Sequence, residues 1–256
     1  MEHHHCLNCN QAATDTFCGH CGQKISTHRY SIKHFLEHDI VHGIWHVDKG
    51  IFYTIKELFT RPGHSIREYV EGKRAKHFNF ISLLIIGLAI SSFLKVYTKI
   101  EMLDLVSESS REAMGAIEKF TTKYPKLTMA IYIPINAMFS FFWFRKAKYN
   151  YSEHLVLNSY KSVGDMVVGL AFTTLTIFYT NIKVLSFIYM TVIAFFGLFY
   201  AIWFYRQFFS HSGLTKKALI WRSILAAFSP LLLSFFIGIA GAIWGFYQGY
   251  SQNIGK

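Results

Sequence analysis

Acidic residues are scarce in this chain. Fifteen Asp and Glu stand against 26 Lys and Arg, and only 16% of all residues are charged. A soluble domain carries about 25% charged residues, so an ordinary water-facing surface is excluded over most of the length. Proline is rare, at four in 256 residues, which leaves long runs free to be helical. Cysteine is absent after residue 21, which excludes a disulfide framework through the body and confines cysteine chemistry to the head. No apolar run opens the N-terminus, so no cleavable signal peptide is expected.

What is present is apolar: 52% of residues are hydrophobic, and 25 Phe and 15 Tyr are spread through long runs rather than gathered in one place. Five segments approach the roughly 20 apolar residues needed to cross a bilayer. They are Asn79–Tyr97, Leu127–Phe144, Ser162–Tyr179, Val184–Phe204 and Ser223–Phe246. Thr180-Asn181-Ile182-Lys183 joins the third to the fourth as a tight hairpin, and Pro134 and Pro230 fall inside spans two and five. The reading is an all-α integral membrane protein in three parts: a knuckle over residues 1–30, cytosolic amphipathic interfacial helices over 31–78, and a transmembrane domain over 79–256. With the N-terminus inside, eighteen Lys and Arg lie on the inner side and eight on the outer, so a cytosolic N-terminus is expected.

The head contains Cys6-x2-Cys9-x8-Cys18-x2-Cys21. Two such pairs can complete a tetrahedral shell around one Zn2+ ion, and Gly19 and Gly22 suit the tight turns this needs. Two disulfides or an iron–sulfur cluster are the alternatives; a reducing cytosol favours zinc. Four thiolates leave no open position, so the ion is expected to be structural rather than catalytic.

Between head and spans, three short amphipathic helices are expected. Ser31 caps the first. Asp48 caps the second, which Arg61-Pro62-Gly63 stops. Ser65 and Glu68 have capping-box spacing for the third, with Gly72 at its end. The first carries His34, His38, His42 and His46 at steps of four, which stack on a helix. A solvated stripe is the favoured account; a second metal site or a pH-sensing latch is the alternative. His38-Asp39-x-x-His42 has the outline of a zincin motif, with Asp where the base would be Glu. Arg61, Arg67, Lys73, Arg74 and Lys76 precede span one as a basic string. Contact with anionic lipid headgroups is favoured, with a phosphate-bearing cytosolic ligand such as a nucleotide or oligonucleotide as the alternative.

The motifs FCGHCGQ, HVDKGIFYTIKELFTRPG and IREYVEGKRAKHF, the last leading into an apolar run, resemble the domain of unknown function 3667 family. The resemblance covers about the first hundred residues. It implies a bacterial inner-membrane protein with an N-terminal zinc knuckle, and it brings no catalytic residues.

Inside the spans little is available for chemistry. Asp165 is expected to pair with Lys161 one turn earlier, and Asn136 is the clearest buried amide. The lack of ionisable groups near the midplane argues against a proton-coupled transporter. No pairing of nucleophile with base is visible, so no enzyme is expected. The favoured function is a homo-oligomeric channel or pore-type effector gated from its basic, zinc-bearing cytosolic face. A membrane-anchored adaptor whose knuckle recruits a protein partner is the alternative, with a lipid-modifying enzyme behind it.

Overall fold

The computed structural model describes residues 4–13, 15–27, 50–105 and 120–233. In the head, strands β1 (His4–His5) and β2 (Ala12–Ala13) pair antiparallel, with His4 opposite Ala13 and His5 opposite Ala12. From residue 50 the described chain is helices and short connections. They are α1 (Gly50–Thr60), α2 (Pro62–Val70), α3 (Phe80–Lys95), α4 (Pro125–Phe144), α5 (Tyr151–Phe178), α6 (Ile182–Phe187), α7 (Ala194–Phe208) and α8 (216–233). A π turn, Ile188–Ile193, joins α6 to α7, so one rod runs from Ile182 to His211.

Three helical rods are long and apolar enough to cross a membrane: Pro125–Ala147, Tyr151–Phe178 and Ile182–His211. They correspond to expected spans two, three and four. Expected span one forms α3, whose 16 residues reach about 24 Å at 1.5 Å per residue, short of a hydrocarbon core of ~30 Å. Expected span five is described only to residue 233, in a helix that starts at 216 rather than at Ser223. The helix expected from Ser31, its four histidines and the Asp48 cap lie outside the described residues.

The largest difference from expectation is in α5, which begins at Tyr151 instead of Ser162. Asn150 starts it with a capping box: its Oδ1 accepts the Glu153 amide at 3.0 Å, and Glu153 Oε2 accepts the Asn150 amide at 2.7 Å. Residues Ser152 to Gly164 look water-soluble in composition yet are buried, because α2, α3, α4 and α7 pack around them. Their polar groups are paired locally: Ser159 Oγ donates to Leu155 O, and Asn158 Nδ2 to His154 O, each at 2.8 Å.

The Ser65–Glu68 capping box does not form. α2 starts three residues earlier, at Pro62, whose fixed φ and missing N–H suit a first helical position. Ser65 Oγ instead meets His77 Nε2 at 2.8 Å, and Glu68 pairs with Arg61. α1 ends at Thr60, as the Arg61-Pro62-Gly63 stop requires. Gly72 follows α2 at φ +116°.

α2 lies directly on the last turns of α7. A Cβ at Gly63 would collide with the Phe204 carbonyl and the Phe208 amide, so only glycine permits this approach, and the Gly63 N–H donates to Gln207 Oε1 at 3.1 Å. Large aromatics fill the inner core, and buried tyrosines find an acceptor for each hydroxyl: Tyr160 OH donates to Phe78 O at 2.8 Å, and Tyr200 OH to Leu58 O at 3.1 Å. Phe144 stacks on Phe209 at 3.8 Å between centroids. The head, the α4–α5 turn and the α7–α8 turn therefore gather at one end of the bundle. A second, small core of Leu105, Phe172 and Leu185 stands apart from this one.

Candidate functional site

The two cysteine pairs adopt the same local path. Cys6 N–H donates to Gln11 O and Asn10 N–H to Cys6 O; Cys18 N–H donates to Gln23 O and Gly22 N–H to Cys18 O, all at 2.8–2.9 Å. Each turn closes on a left-handed residue just after its second cysteine, Asn10 at φ 59° and Gly22 at φ +73°. Asn and Gly tolerate that region best. Gly22 was readable as a turn residue; Asn10 serves the first turn without a glycine, and Gly19 is not at positive φ.

The four sulfurs lie within 4.8 Å of one another, with Cys6 to Cys21 at 3.6 Å and Cys9 to Cys18 at 3.5 Å. A tetrahedron with ~2.3 Å metal–sulfur bonds has edges of about 3.8 Å, so the space fits one ion. No disulfide joins the four cysteines. The Gln23 amide lowers Cys21 to about 6. The Gln11 amide would lower Cys9, but desolvation and the three neighbouring sulfurs outweigh it and push Cys9 up to about 12. This donor set invites a cation in place of the last proton.

The four-cysteine module is docked rather than tethered. Gln23, 6% exposed, donates from Nε2 to Gly72 O at 2.8 Å and accepts on Oε1 from the amides of Arg74 (2.9 Å) and Ala75 (3.1 Å). One side chain thus occupies three backbone groups of the α2–α3 turn, as a paired strand would. The same residue's backbone amide serves Cys21, so the shell and the dock share a residue. Sequence reasoning missed Gln23, because a Gln two positions after a cysteine carries no signal of its partner.

The basic string divides. Arg61 pairs with Glu57 at 2.6 Å and meets Glu68 with both terminal nitrogens at 3.2 Å. Arg67, 5% exposed, donates to Gln207 O (3.0 Å) and Ser210 Oγ (2.8 Å), where it satisfies the end of α7 and suits its dipole. Arg74 Nε donates to Tyr69 O at 3.1 Å, with its guanidinium over the Tyr69 ring. Lys73 and Lys76 are exposed. Behind them His77 sits edge-on to Tyr53 and Tyr69, and burial lowers it to about 4. Burial and the charge of Arg67 also lower His64.

A second feature lies in the bundle interior. His154, Asn158, Lys161 and Asp165 fall on one face of α5 at helical spacing. Lys161 Nζ donates to Asp165 Oδ2 at 2.7 Å, the pairing expected from their i, i+4 separation. Tyr205 OH donates to Asn158 Oδ1 at 2.7 Å, and Asn158 Nδ2 to Ser140 Oγ at 2.9 Å. Ser140 Oγ also donates to Ala137 O at 3.0 Å, so its 2.9 Å contact with His154 Nδ1 is completed by the imidazole N–H. This Ser–His pair resembles a nucleophile and base, but Ser140 is fully buried, His154 is 1% exposed, and the serine proton is already given to a carbonyl. The stripe was legible only to a reader who had extended α5 back to Asn150.

Beside the ion pair is a cavity of about 340 Å³ between α4, α5, α7 and α8, lined in part by Tyr132, Asn136, Lys161, Asp165 and Tyr205. The fold and these two features define a helical protein with three membrane-length rods and, docked at one end, a four-cysteine head that could hold a metal ion.

Residues 48–92 match the family described as Protein of unknown function (DUF3667), and the resemblance read from the motifs holds over that segment, which runs from the start of α1 through most of α3. The cysteine module precedes the matched residues. Among curated proteins and among solved structures, no match to this chain was found.

Proposed function

We propose that this protein conducts ions or small solutes across a membrane through the charged interior of its helical bundle, as a homo-oligomer braced by a structural Zn2+ ion at its cytosolic end. The observation that carries this reading is the Lys161–Asp165 pair beside a 340 Å³ cavity whose lining is otherwise mostly apolar. Ionisable groups inside an apolar bundle cost free energy and mark solute paths. An adaptor needs only an anchor, and the docking of the head by Gln23 ties it to the bundle instead of freeing it for recruitment. The bacterial inner membrane is the compartment this reading assigns, with Lys73 and Lys76 facing anionic cytosolic ligands.

Flux of a fluorescent ion reporter in proteoliposomes tests the function. Asp165→Asn and Lys161→Met should alter the rate or selectivity while the oligomer survives. A silent bilayer together with a monodisperse monomer would remove the proposal. The metal is checked separately by native mass spectrometry: one zinc per chain, lost in Cys18→Ser. The adaptor reading keeps one observation in its favour, the 57% exposed Phe17 on the head. If it is right, Phe17→Ala abolishes partner capture by the full chain, and no flux is seen.

A further inference from the structure

α4 and α8 meet at the end of the bundle that carries the head. Phe144 ends α4, and the 3-10 turn Arg145–Ala147 follows. Arg222 Nη1 donates to the Trp143 carbonyl, an acceptor left open at the α4 C-terminus. Trp143 Nε1 donates to Ser229 Oγ at 2.8 Å, nearly two turns further along α8. These two bonds hold the helices side by side and leave a groove of about 420 Å³ between them.

The groove wall is graded. Arg145, Lys146 and Arg222 supply its basic lining. Phe142 (58% exposed), Trp221 (65%) and Leu225 (37%) provide apolar surface, Phe142 in the last turn of α4 three residues before Arg145 and Leu225 one turn along α8 from Trp221. The positive charge is uncompensated: no carboxylate lies within ion-pair distance of Arg145, Lys146 or Arg222 among the described residues, and no Asp or Glu follows Asp165 anywhere in the sequence. Glu153, the nearest acid in the sequence, is buried and spends its carboxylate on the Asn150 amide. Three cations next to exposed aromatic surface would be mutually repulsive in water and costly in hydrocarbon. They suit the interface, where an anion can sit among them and a chain can lie on the rings.

We propose that this groove binds one anionic diacyl phospholipid, with its phosphate held by Arg145, Lys146 and Arg222 and an acyl chain laid along Phe142, Trp221 and Leu225. Arg222 has two tasks, since it also holds α4 to α8; Arg145 and Lys146 serve the headgroup alone. The lipid would then bridge the ends of the two helices. The site is independent of any flux through the Lys161 cavity.

The test uses the full-length protein in nanodiscs. Brominated phosphatidylglycerol should quench tryptophan fluorescence more strongly than brominated phosphatidylcholine at equal density, and Trp221→Phe should remove most of the difference. In native mass spectra, retained phosphatidylglycerol should fall about tenfold in the Arg145→Gln/Lys146→Gln double variant and stay unchanged in Lys216→Gln/Lys217→Gln, which lies outside the groove. Equal quenching by the two lipids, or equal retention in all variants, would overturn the proposal. So would displacement of the lipid by inorganic phosphate, which would mean a free-anion site. If the double variant fails to fold, the comparison of the two brominated lipids on the native chain still decides.

Discussion

Replacing Gln23 with Ala should undock the four-cysteine head without dispersing its cysteines. The substitution removes three hydrogen bonds, to Gly72 O and from the amides of Arg74 and Ala75. Each contributes about 1 kcal/mol net, and more where the stranded partner stays dry. Ala75 is exposed and Arg74 half-buried, so water takes over part of two bonds, whereas Gly72 is buried. The net loss comes to about 2 kcal/mol, or roughly 30-fold in the docked population. Hydrogen exchange with mass spectrometry on the full chain in detergent reads this directly. Amides of the α2–α3 turn should exchange about 30-fold faster in Gln23→Ala, while native mass spectra keep one metal per chain. Gln23→Glu should fall between, since a carboxylate still accepts from both amides but cannot donate to Gly72. Unchanged exchange in the turn would refute the clamp, and loss of the metal would show that Gln23 builds the shell itself.

Three further outcomes follow from the packing. Gly63→Ala forces a methyl into the α7 backbone and should destabilise the fold by about 3 kcal/mol, seen as a lower melting temperature; an unchanged melt would deny the close crossing. Asp165→Asn should cost more stability than Lys161→Met, because it strands the ammonium, whose side chain is 8% exposed, whereas the reverse change strands a carboxylate that is 33% exposed beside the cavity; equal melts would contradict this. His77 is neutral when folded, with its pKa lowered to about 4 from an ordinary 6.5, so the unfolded chain binds the extra proton between those values. Stability should be complete above about pH 6.5 and fall by about 3 kcal/mol as the pH drops to 4, with His77→Gln flattening that limb in pH-dependent melts.

How much of this was legible depends on whether the deciding partner lay nearby in the chain. Cys6, Cys9, Cys18 and Cys21 declare themselves by spacing, and the structure brings them together. Lys161 and Asp165 are four apart on one helix, and they pair. The three long rods follow from apolar length alone. Arg67 read as a surface cation because nothing local shows that α7 ends against it 140 residues later. The start of α5 was misplaced because Ser, Glu, His and Asn at 152–158 resemble a solvated loop, although Asn150-x-x-Glu153 carried the capping signal. Ser65 and Glu68 showed that signal where Pro62 had already opened the helix. Side chains engaged across the fold were misread in both directions, since composition reports how polar a group is and not whether a partner awaits it.

The wide turn at Ile188–Ile193 gives the longest rod a crank. One surplus residue in a helix rotates everything beyond it by about 100°, so the two ends of a single polypeptide bar need not share a phase. Leu185 can seat against Phe172 at one end while Tyr200, Phe204 and Phe208 seat in the aromatic core at the other. Sliding that offset a few positions along the bar would re-aim one end and leave the other fixed.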